Sequence, residues 1–187
     1  MKKYSLVVLS VLFIVNPFLF SNPDTDITLP VIKSESRGIP EQIFSKSPVT
    51  KFKQFARLYP KDIEGIQEIE FSSQPTDPVL SSEYKLVTTI KGIYHPIIRK
   101  IWINNYLGDI EAIVHEIGHH VWYAKLTQEH QAQWVQWFAD KNLHFSITAS
   151  KRVTDMFAEH YMAFRLHRDY KKQFPVQFRF FTDLLKK

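Results

Sequence analysis

The chain of 187 residues contains no cysteine. No disulfide can hold the fold, and no lipobox cysteine is available for a lipid anchor, so stability must come from an apolar core or a bound metal. Beyond residue 20 no hydrophobic run approaches the roughly 17 residues that a helix needs to cross a bilayer. No internal repeat occurs either. A basic stripe with interleaved aromatics is also missing, although the formal net charge is +5. The lysines and arginines are scattered, and two of them, Lys2 and Lys3, belong to the leading segment. Nucleic acid is therefore not an expected partner; the charge reads as a solvated basic surface suited to anionic cell walls or membranes.

What is present has the balance of a globular protein: 44% apolar, 23% charged and 14% aromatic residues. The length suits one domain with a real core. At the start, Lys2 and Lys3 precede an apolar run from Leu6 to Phe20, broken only by Ser10, Asn16 and Pro17. Residues 1–21 thus read as a secretory signal, with Leu19-Phe20-Ser21 as the best available cleavage site. The expected location is secreted or extracellular, with membrane attachment only through an uncleaved signal.

Residues 22–48 carry Pro23, Pro30, Pro40 and Pro48 among Ser, Asp and Thr, the composition of a linker or extended arm. The domain then spans 49–187. Val49, Phe52, Phe55, Ala56 and Tyr59 recur at helical steps. "IQEIEF" (66–71) alternates like a strand with one buried face, and Tyr84–Ile90 and Ile97–Asn104 are rich in β-branched and aromatic residues. Helical patterns follow over Asp109–Lys125, Gln128–Lys141, Thr154–Tyr170 and Pro175–Leu185. Strands first and helices after predict an α+β domain.

The densest chemistry is "HEIGHHV" (115–121), three of the chain's eight histidines in six positions. Asp109 is a good N-cap for the helix that carries it, and Ile110, Ile113, Val114, Ile117, Val121 and Ala124 form its apolar stripe. His115 and His119 are one turn apart, so both imidazoles project from one side and can meet one ion. Two of the four positions around a zinc ion are thereby supplied. Glu116, rotated by about 100° from His115, falls beside such a metal, placed to act as general base on the attacking water and then as acid to the leaving amine. Gly118 sets no side chain between the ligands, leaving room for a substrate or a strand. Composition alone predicts about 0.02 occurrences of H-E-x-x-H, so chance is a poor explanation. His120 reads as packing or as a donor behind the ligands.

A third ligand is required. In "TDMFAEHYMAFRLH" (154–167), Asp155 and Glu159 lie one turn apart on one face, so one carboxylate can bind zinc while the other braces a ligand imidazole through its free N–H. Thr154 would cap this helix.

The pair "HEIGHHV" and "DMFAEHYMAFRLH" resembles the C-terminal peptidase domain of anthrax toxin lethal factor and the secreted Pro-Pro endopeptidases. The likeness extends to "IWIN" (101–104) and "YKKQFPVQFRFFTDLL" (170–185), roughly the last 100 residues. It implies a zincin-like metallopeptidase with one Zn²⁺ per chain, and Asp155, which matches the family's third-ligand glutamate, as ligand with Glu159 behind it. Aspartate reaches about one methylene less far, which keeps Glu159 open as the ligand instead. The family's oxyanion-stabilising tyrosine, seven residues before the third ligand, is matched by Thr148 or Arg152 according to which acid binds, and an arginine can do comparable electrostatic work. Tyr123, His144, His160 and Tyr161 are other donors for that role. The resemblance further implies a protein or peptide substrate bound in extended form along an edge strand, taken as Ile97–Asn104, and cleavage beside proline as in the Pro-Pro branch. Trp102, Trp122, Trp134 and Trp137 read as core more than as a subsite lining. The alternative to a secreted zinc endopeptidase is a catalytically inactive zincin-fold binding module at the cell surface.

Overall fold

The computed structural model describes residues 29–34, 47–76, 81, 90–146 and 151–186. The expected signal, most of the 22–48 linker, Thr148 and all but the last residue of the Tyr84–Ile90 strand lie outside these residues. Among the described residues no helix is long and apolar enough to cross a membrane.

The fold is mixed α+β, as the sequence pattern predicts. Four strands, β1 (Val31–Ser34), β2 (Glu68–Ser72), β3 (Gly92–His95) and β4 (Lys100–Asn104), form one sheet in the order β1-β2-β4-β3. The first three in that order run parallel, and β3 runs antiparallel to β4. The helices are α1 (Pro48–Leu58), α2 (Pro60–Ile63), α3 (Ile110–Lys125), α4 (Gln128–Phe138), α5 (Val153–Leu166), α6 (Tyr170–Gln173) and α7 (Pro175–Leu185).

Three strand expectations need correction. β1 lies inside the stretch read as linker. The expected strand Ile97–Asn104 begins only at Lys100, because residues 96–99 form the β3–β4 turn, with Arg99 at φ 55° and Ile97 exposed to 83%. Two isoleucines in a turn imitate a strand in composition. β4 is also an internal strand, flanked by β2 and β3, so it is not an edge; among the described residues β1 and β3 are.

β2 and β4 are buried on both faces, not one. Ile69, Phe71, Ile101 and Ile103 face the helices. The opposite face is polar yet buried because its charges neutralise one another: Lys100 Nζ lies 2.6 Å and Lys33 Nζ 2.7 Å from Glu68. Beside them Trp102 Nε1 donates to Ser72 Oγ (2.9 Å), whose hydroxyl donates to Glu70 (2.6 Å). Buried charge at this depth survives only with such partners.

α3 is capped by Asp109, whose carboxylate accepts the Ala112 amide at 2.8 Å, and Ile113, Val114, Ile117 and Val121 are fully buried. Against it lies α5. A Cβ on Gly118 would stand 2.8 Å from Ala158 Cα and 3.1 Å from Ala158 O, so the two helices touch backbone to backbone there. Gly118 therefore admits a neighbouring helix, not the substrate or strand that its position suggests. α5 starts at Val153 with Arg152 at the N-cap; Thr154 lies in its first turn and does not cap it, and the helix ends at Leu166, short of Tyr170. Trp102, Trp122 and Trp134 are core, Trp134 packing on Phe157, His160 and Phe181.

Candidate metal centre

The α3–α5 crossing fixes the site. Because the backbones meet at Gly118 and Ala158, the residues flanking the contact face each other across a narrow gap: His115 and His119 from α3, Asp155 from α5. One ligand atom from each of the three lies within 4.8 Å of the others. His119 Nε2 is 3.4 Å from Asp155 Oδ1, and the two imidazole rings meet edge to face with centroids 4.8 Å apart. Tetrahedral zinc with ligands at about 2.0–2.1 Å sets them about 3.3–3.4 Å from one another, so this donor pair already stands at that separation.

The electrostatics suit a cation. Burial holds His115 down to about 3, and the neighbouring His119 adds to the effect against the pull of Asp155, so His115 carries a free lone pair at neutral pH. For Asp155, burial acts to raise the carboxyl, but the hydrogen bond and charge of His119, with His115 and Arg152 behind them, carry it below its ordinary value. Two imidazoles and one carboxylate are a donor set that fits a divalent ion such as zinc.

Glu116 is nine-tenths buried beside the triad but not part of it. Burial and the charge of Asp155 push its carboxyl up to about 7, opposed by His119 and by the Tyr94 main chain. Its side chain crosses β3 at Gly92, where a Cβ would stand 2.8 Å from Glu116 Cγ and 3.1 Å from Oε1.

Glu159 is not among the three gathered donors. One turn beyond Asp155, its carboxylate accepts the Ser146 hydroxyl at 2.5 Å, and burial raises its carboxyl. It holds the Ser146 hydroxyl, where the sequence suggested a ligand imidazole. His120 is packing: Nε2 donates to the Glu64 carbonyl (3.0 Å), which leaves Nδ1 to accept the Tyr94 hydroxyl (3.2 Å). Burial lowers this imidazole to about 4 and keeps it neutral.

Most of the other candidate donors are committed elsewhere. Tyr161 is buried with its hydroxyl on Asp62, which Arg165 grips with two hydrogen bonds of 2.6 and 2.7 Å. His160 bridges the Leu143 carbonyl and the Tyr170 hydroxyl, and His144 bonds the Phe138 carbonyl. Tyr123 is part-exposed and stacks on Tyr94. Arg152, by contrast, makes no capping bond at the head of α5, and its charge acts on Asp155.

Gly92, Tyr94 and Ser146 are site residues that the sequence reading missed. A glycine inside a short strand is a signal of close approach by another group, and Gly92 was open to that inference. A cavity of about 1050 Å³ between the sheet end, α4 and α7 shares no residue with the triad.

No family model matches the sequence, and no curated protein is significantly similar to it.

Proposed function

We propose that the chain is a secreted, zincin-like zinc endopeptidase that hydrolyses peptide bonds of an extracellular protein or peptide. The observation that carries this reading is the gathering of His115, His119 and Asp155, from two separate helices, around one point, with Glu116 next to the first ligand. The resemblance of "HEIGHHV" and "DMFAEHYMAFRLH" to the lethal factor and Pro-Pro endopeptidase domains supports the same chemistry, and the leader around Leu6–Phe20 supports export.

His115, His119 and Asp155 would hold the ion. Bound there, zinc supplies a Lewis acid that polarises the scissile carbonyl and acidifies water. Glu116 takes the proton of the attacking water and returns it to the departing amine. Asp155 binds metal directly, and Glu159 stands behind it, bonded to the Ser146 hydroxyl. Arg152 is placed to offset negative charge that develops beside Asp155. The substrate lies extended along β3 by main-chain hydrogen bonding.

Purified protein is tested for zinc by metal analysis and for cleavage of a combinatorial peptide library, beside Glu116→Ala. One zinc per chain and cleavage by wild type alone support the reading. Absence of zinc, or equal turnover by both proteins, ends it; zinc without turnover points to the inactive binding module.

A further inference from the structure

Helix α7 carries two apolar stripes. Phe178 and Phe181 turn to α5, where their rings lie 5.4 and 5.1 Å from that of Phe164. Phe180 and Leu184, four residues apart and so on one side of the helix, line instead the cavity of about 1050 Å³ between α7, α4 and the α2–β2 turn. Trp137 on α4, Ile66 ahead of β2, and Leu185 add to its apolar lining. Phe180 is fixed from behind: its ring meets those of Trp134, Trp137 and His130 edge to face at 5.7, 5.8 and 5.3 Å, and Trp134 is fully buried. The floor is thus preformed. Close-packed interiors leave few voids larger than a water molecule, and a concave apolar cavity of this size has the dimensions of a small-molecule site.

The charges around the cavity select the ligand. Ile66 is buried and Trp137, Phe180 and Leu184 are half-buried, whereas Lys61, Glu64, Arg179 and Asp183 are exposed, so the charged groups form the rim. Both acids already have cations: Glu64 lies 2.9 Å from Lys125 Nζ, and Asp183 lies 3.6 Å from Lys186 Nζ. Arg179 has no ion pair or side-chain hydrogen bond among the described residues. Lys61 adds a second positive charge to the rim. An apolar floor under a rim whose acids are neutralised and whose arginine is uncommitted matches an alkyl chain that ends in an anion. We propose that this cavity binds a fatty acid, with the alkyl chain on Trp137, Phe180 and Leu184 and the carboxylate at Arg179, whose planar fork suits it. The site shares no residue with His115, His119 and Asp155, and it stands independently of the peptidase reading.

The test is isothermal titration calorimetry of the purified protein with octanoate and decanoate below their micelle concentrations, beside decyltrimethylammonium, which has the same tail as decanoate and the opposite charge. Decanoate is expected to bind about ten-fold tighter than octanoate, the effect of two more buried methylenes, and about five-fold or more tighter than the cation. Arg179→Gln, a change at an exposed position that leaves the apolar floor intact, is expected to weaken decanoate about five-fold and to erase the preference over the cation. In proton–nitrogen correlation spectra, decanoate is expected to move the indole N–H of Trp137 and to leave that of Trp102, bonded to Ser72, in place. Equal or tighter binding of the cation, which would hand the rim to Glu64 and Asp183, overturns the proposal. So do equal affinity in Arg179→Gln, no gain with chain length, an unmoved Trp137 signal, or no binding at all. Failure to bind zinc on the same samples would sink the peptidase reading and leave the fatty-acid result standing.

Discussion

His119 Nε2 stands 3.4 Å from Asp155 Oδ1 across the α3–α5 crossing, although a whole helix and loop separate the two residues in the chain. Removing either closes the site to metal in a different degree from removing a supporting group. Asp155→Ala is expected to lower zinc affinity by more than about 100-fold, whereas Glu159→Ala stays within the roughly 10–100-fold typical of groups behind the ligands. Competition titrations with a zinc chelator measure both. The opposite order would make Glu159 the ligand.

Gly118 controls the same distance from below. A methyl group at 2.8 Å from Ala158 Cα cannot be absorbed by a flexible side chain, because the atom it meets is backbone. Gly118→Ala is expected to cost about 1–3 kcal/mol in denaturant unfolding, and to weaken zinc binding by moving Asp155 away from the imidazoles. Unchanged stability and unchanged affinity would show that the helices are free to separate at no cost.

Protonation gives a third expectation, for the metal-free protein. Burial, the leading cause in each, depresses His95 to about 2, His115 to about 3, and His120 and His160 to about 4. Each binds a proton on unfolding below its ordinary value of about 6.5, so the stability it contributes is present above that pH and is lost as pH falls towards the folded value. Glu116 and Glu159, raised in the fold mainly by burial, act with the opposite sign and are fewer. Stability should therefore decline from about pH 6.5 down to pH 4, with each unopposed histidine contributing about 1.4 kcal/mol per pH unit. Thermal melts across that range check the slope; a flat profile would mean that the buried imidazoles are already protonated or hydrated.

The helical half of this protein was legible because burial and periodicity coincide there: Ile113, Val114, Ile117 and Val121 mark one stripe, and it is the buried one. The two imidazoles were legible for the same reason, since helical spacing alone puts His115 and His119 together. Asp155 could be shortlisted beside Glu159, but choosing between them needed the crossing at Gly118, a tertiary contact that leaves no local pattern. The sheet was read less well. Ile97 and Ile98 look like strand yet form a turn, and the alternation of Glu68 and Glu70 suggested a solvated face where ion pairs across three strands allow burial. The approach of Glu116 to β3 at Gly92 is a contact between two elements, which no single strand sequence encodes.

Arg152 offers the sharpest remaining contrast. It heads α5, where a positive charge is disfavoured by the helix dipole, and it makes no capping bond there. Such a placement is retained at a cost unless the charge serves something nearby, and the nearby group on which it acts is Asp155. If it offsets the oxyanion of the tetrahedral intermediate, Arg152→Ala should lower kcat by about 10²–10³-fold, while zinc affinity and KM change little and Arg152→Lys recovers part of the loss. If instead it merely tunes Asp155, zinc affinity falls and kcat at saturating zinc does not. Steady-state kinetics on a library-selected peptide, alongside the chelator titration, separate the two. A normal kcat in Arg152→Ala at full zinc loading would move the oxyanion role to another donor, with part-exposed Tyr123 next to be tested.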